Sequence, residues 1–157
     1  MSATATVSDP NRKHLEAART LIAKGDLKQA ALTLNKAQKQ LPNDPRVFML
    51  AGLMAEKSGN INGAFEALRR SVAMAPDWGP GLLELALLLA RQNQFKEAVE
   101  TAEKVAALEP RNLQVLAGVV DIAHRAGHTE MAVQHLRRGL ELVPGDTMLR
   151  RLLARDL

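Results

Sequence analysis

Apolar residues recur along this chain at intervals of three and four, as in the stripe Leu82, Leu85, Ala86 and Leu89. That is the spacing of one helix face and not the strict alternation of a strand, so an all-α chain is expected. The pattern is itself periodic. The stretch "KGDLKQAALTLNKAQKQLP" from Lys24 returns as "SGNINGAFEALRRSVAMAP" from Ser58, "QNQFKEAVETAEKVAALEP" from Gln92 and "AGHTEMAVQHLRRGLELVP" from Ala126, each 34 residues after the last.

Each copy predicts two short helices. Gly25, Gly59, Asn93 and Gly127 fall at equivalent places, where a helix ends in a left-handed residue that glycine adopts freely and asparagine tolerates best among the rest. Pro42, Pro76, Pro110 and Pro144 end the second helices, because proline lacks the amide hydrogen and crowds the preceding turn. Ala30, Ala64, Ala98 and Ala132 repeat without exception, as a close helix crossing with room for one methyl requires. Ala18, Gly52 and Ala86 mark the facing helix, while Val120 breaks that rule in the last copy. The expected organisation is a flexible N-terminus at 1–10, four units at 11–44, 45–78, 79–112 and 113–146, and a terminal helix at 147–157. In that last segment Leu149, Leu152, Leu153, Ala154 and Leu157 are expected to face the core, with Arg150, Arg151 and Arg155 in water.

The period, the repeated alanine, the helix-ending proline and the small-residue site resemble the tetratricopeptide repeat family from Asn11 to Asp146. The large aromatic residues that the family often places early in the first helix are here His14, Phe48, Leu82 and Leu116. The resemblance implies antiparallel helix pairs stacked into a right-handed α-solenoid, each unit touching only its neighbours, with a peptide-binding concave face lined by the first helices.

Leu83 and Leu87 lie one turn apart and about 100° off the core stripe of their helix, and Met49 and Leu53 hold the same places one unit earlier. The outer units hold Leu15 and Arg19, then Ala117 and Asp121. By the resemblance these residues line a groove with an apolar centre, bordered by Arg12, Arg19, Arg46, Lys57 and Arg91. The family's clamp for acidic chaperone tails is not matched, since its places hold Leu15, Arg19, Leu50, Pro80 and Glu84. The competing reading of the groove leucines is burial among themselves.

Composition narrows the chemistry. The 157 residues carry no cysteine, which excludes disulfides and thiolate metal sites and suits a reducing compartment. The start "MSATATVSDP" shows no signal peptide, and "LLELALLLA" falls far short of the ~20 residues of a membrane span, so a cytoplasmic protein without membrane contact is expected. The net charge of +4 invites a nucleic-acid reading, but cations run from Arg12 to Arg155 with acids between them and no aromatic residues interleaved, which argues against it.

Asp121, His124 and His128 have ligand-like spacing. Gly127 should turn His128 away, however, which leaves surface histidines and no metal site. Trp78 reads first as an apolar staple for the helix begun by Pro80, and second as a binding anchor. No nucleophile elbow, phosphate loop or catalytic carboxylate pair occurs, so neither an enzyme nor a cofactor is expected. The expected role is a non-catalytic scaffold binding a protein or peptide segment, apolar with acidic flanks, in the groove. Two alternatives stay open: the repeats of a larger enzyme, as in some bacterial glycosyltransferases and sulfotransferases, and self-assembly with the last helix of one molecule in the groove of another.

Overall fold

The computed structural model describes residues 9–157, which are helical apart from short turns; the part of the expected flexible terminus before Asp9 lies outside the described residues. Among the described residues nine helices follow in order: α1 (Arg12–Lys24), α2 (Leu27–Gln40), α3 (Pro45–Lys57), α4 (Ile61–Met74), α5 (Gly79–Arg91), α6 (Phe95–Leu108), α7 (Leu113–Arg125), α8 (Thr129–Leu142) and α9 (Thr147–Asp156). No strand occurs among the described residues. The helices group into two compact units, the first ending at Ala75 and the second running from Pro76 to Leu157.

Local chemistry sets the helix ends. The four turn residues take left-handed backbone, including Asn93 at φ 61°, the one non-glycine residue described with positive φ. Asp26, Asp44, Asn60, Asn112 and Asp146 cap helices by accepting hydrogen bonds from first-turn amides. Each second helix stops one residue before its proline, at the C-caps Leu41, Ala75, Glu109 and Val143.

In the first unit α1 packs on α2 and α3, and α3 on α4. Ala18, Ala30 and Ala64 are fully buried, with Leu34, Leu50 and Leu68 filling the space around them. A polar clamp joins the start of α1 to the start of α3. Asp44 caps α3 and receives Nε and Nη2 of Arg46 at 3.0 and 2.8 Å, while Asp9 receives Nη1 and Nη2 at 2.5 and 2.9 Å. Buried Asn11 donates Nδ2 to Asp44 at 2.9 Å.

The second unit packs α5 on α6 and α7, α7 on α6 and α8, and α8 on α9. Ala86, Ala98, Ala102 and Ala132 are fully buried beside Leu88, Leu89, Val105, Val119 and Ile122. Trp78, expected as a staple, is the half-buried N-cap of α5 and makes no side-chain cap bond. The Glu109 carboxylate folds against this helix start, where Gly79 leaves space: a Cβ there would lie 1.9 Å from Glu109 Oε2.

The terminal helix differs from expectation. α9 buries no residue fully; Leu149, Leu152 and Leu153 are half-buried, and Leu149 Cδ1 lies 3.1 Å from where a Cβ on Gly139 would stand. Ala154 and Leu157, read as core, are exposed, because only one side of α9 meets another described helix. Deleting Thr147–Leu157 should still cost the second unit ~1–2 kcal/mol, since three leucines lose their half-burial and α8 loses its cover. A denaturant midpoint equal to the parent's would show that α9 is a linker.

Candidate functional site

The residues expected to line a groove divide between the two units. On α1 and α3 of the first unit, Leu15 and Met49 are buried, Leu53 is half-buried, and Arg12, Arg19 and Lys57 are exposed. Lys57 Nζ donates to the Ile22 carbonyl at 2.9 Å, so its ammonium closes the C-terminal end of α1. Arg12 pairs with Glu16 at 3.2 Å in water, a contact worth little. Arg46 stands apart from these, because its guanidinium is occupied on both sides by the carboxylates of Asp9 and Asp44. It acts as a bracket between α1 and α3 and does not offer a loose cation at the rim.

On α5 and α7 of the second unit, Leu83 is 8% exposed and Leu87 half-buried; Arg91 is half-buried, and Ala117 and Asp121 are exposed. Leu83 fills the space over Gly118, where a Cβ would come within 2.8 Å of its Cδ1. Leu83 on α5 is thus packed against α7 at Gly118. Leu87, one turn on, keeps an accessible edge. Gly118 was not singled out from the sequence, yet a glycine inside a helix costs ~1 kcal/mol and calls for a packing reason, which Leu83 supplies.

The histidine cluster is dispersed. Asp121 pairs with Arg125 at 3.1 Å, and His128 is the N-cap of α8 beyond the left-handed Gly127. His124, read as a surface residue, is instead partly buried, with Nε2 2.5 Å from Asp156 Oδ2 on α9 and Arg155 beside the ring. The correction has a simple cause. Asp156 reaches His124 through the packing of α9 on α8, which no pattern in the sequence shows. His135 is buried as well, 3.4 Å from Glu103 Oε1. Among the described residues no group of three or more His, Cys, Asp or Glu could hold a metal ion.

Two tetratricopeptide repeat profiles match the chain, one over residues 15–77 and the other over residues 89–155. The chain belongs to the tetratricopeptide repeat family. Human tetratricopeptide repeat protein 7A is 26% identical over 115 residues, which is 73% of this chain but 13% of that protein. The chain spans little more than a tenth of the length of the curated relatives it matches. Among solved structures, pilF of Pseudomonas aeruginosa superposes with a TM-score of 0.80 at 16% identity, covering 94% of this chain and 67% of that one. A thermophilic tetratricopeptide protein of Thermus thermophilus gives 0.79 at 18% identity, covering 94% and 81%. These likenesses establish an all-α helical-repeat fold of the solenoid class, and membership of the tetratricopeptide repeat family implies a scaffold for protein–protein interaction. No described helix is long and apolar enough to cross a membrane.

Proposed function

We propose that this tetratricopeptide chain, built of four 34-residue units and a terminal helix, is a non-catalytic scaffold. The accessible edges of its first helices hold an apolar protein segment with acidic flanks. One observation carries the reading. Leu53 and Leu87 occupy the same place in successive first helices, off the buried stripe, and stay half-exposed where Leu15, Met49 and Leu83 are packed away. Exposed Arg19, at the same place on α1, adds a cation that favours acidic residues beside the partner's apolar anchors. Anchors of this kind typically carry ~2 kcal/mol or more of binding each.

A Leu53→Glu, Leu87→Glu double variant is expected to keep its helical signal and melting temperature while losing the proteins that the parent recovers in a pull-down from its source cells. Unfolding of the variant would show both leucines to be core residues. A folded variant that retains every partner would sink the assignment of this face.

A further inference from the structure

The positive charge of the chain is unevenly placed. Residues 11–43 hold seven lysines and arginines against two acids, Glu16 and Asp26, an excess of +5 where the whole chain carries +4. The acids are already engaged, Glu16 with Arg12 and Asp26 as the cap of α2. Within α2 there is no acidic residue.

The lysines of α2 share one face. Ala30, Leu34 and Ala37 form its buried stripe, and at 100° per residue Lys28, Leu32, Lys36 and Lys39 all lie on the opposite side. All four are exposed, and none of these lysines makes an ion pair among the described residues. Leu32 is 50% exposed, with Lys28 and Lys36 one turn to either side. The exposed half of this leucine stands among three ammonium groups that make no ion pair among the described residues.

We propose that this outer face of α2 is a second docking surface, for an acidic amphipathic protein segment that sets one apolar residue on Leu32 and carboxylates against Lys28, Lys36 and Lys39. Charge complementarity selects the occupant. A second copy of the chain brings no net acidic surplus to this face, because outside residues 11–43 its charges balance to within one unit. An anionic lipid surface would attract the three lysines but is held also through buried apolar area, of which this face offers one leucine. Lysine–phosphate contacts alone give only non-specific nucleic-acid binding, and this face lacks the arginine forks and aromatic platforms that read bases or stack on single strands. The surface shares no residue with the leucine positions on α3 and α5.

The probe is a fluorescently labelled synthetic helix carrying a central leucine with glutamates one turn to each side. A second peptide with lysine for glutamate, vesicles containing phosphatidylserine, and a DNA duplex are run beside it. The glutamate peptide is expected to bind in low salt and to be released as salt rises. A Lys28→Glu, Lys36→Glu, Lys39→Glu variant should weaken it at least about tenfold, as three ion pairs reversed in sign imply. Leu32→Ser should weaken it by about threefold. Because all four α2 side chains are exposed, circular dichroism and melting temperature should not move. The proposal is overturned by equal binding of the lysine peptide, by preference for vesicles or duplex, by binding that survives charge reversal, or by no binding at all.

Discussion

Gly52→Leu is expected to destabilise the first unit by ~3 kcal/mol, seen as a lowered denaturant midpoint and faster hydrogen exchange in α3 and α4. Gly52 faces α4 at the crossing, where even a Cβ would lie 2.7 Å from Leu68 Cγ and 3.3 Å from the Ala64 carbonyl oxygen. Leu68 is 1% exposed, and Cγ is its branch point, so it cannot swing aside as a free chain end would. The smaller change Gly52→Ala sets two effects against each other. Alanine gains ~1 kcal/mol of helix propensity, and the contact with Leu68 opposes it. With backbone on one side and a buried leucine on the other, crowding should win by a small margin. One period later alanines stand at both places, Ala86 and Ala102, each fully buried. An unchanged midpoint for Gly52→Leu would mean that the crossing is wider than described.

That crossing was visible in the sequence because periodicity reports whatever every unit repeats. Small residues at 18, 52 and 86, alanines at 30, 64, 98 and 132, and a left-handed residue before each second helix are solutions to one local problem met four times. Contacts made once leave no such trace. Asp9 and Arg46 are 37 residues apart and have no counterpart a period later, so nothing in the pattern pairs them. Arg46 therefore read as a rim cation. The meeting of His124 with Asp156 is equally singular. The leucines of the first-helix face were only half legible: their angle showed that they leave the core stripe, but whether a neighbouring helix covers them depends on its residues. Gly118 admits Leu83, while Leu87 keeps an open edge. Ala154 and Leu157 were misread because a stripe one period after Val120 and Ala123 presumes helices on both sides.

Arg46→Met should cost the first unit ~2–3 kcal/mol. The figure lies below the ~3–5 kcal/mol of a fully buried broken pair because the guanidinium keeps partial contact with water. Asp44 sets the cost. Its side chain is 4% exposed, and without Arg46 its carboxylate would keep only the Asn11 amide and the Arg46 backbone N–H. Burial pushes the Asp44 carboxyl up, but hydrogen bonds from Arg46 and Asn11 outweigh it and hold the group below the ordinary 3.8. The Arg46 hydrogen bonds likewise hold Asp9 down, against a smaller opposing effect of burial. Both carboxyls are thus depressed on folding, so their contribution is fully present above pH 3.8 and is lost as pH falls through the lower folded values. The stability gap between parent and variant should be flat near neutrality and close in acid. Adding Asp44→Asn to Arg46→Met should recover most of the loss, because asparagine caps a helix about as well as aspartate and brings no charge to bury. If the double variant is no more stable than the single one, the loss lies in the packing of the Arg46 stem and not in an uncompensated carboxylate.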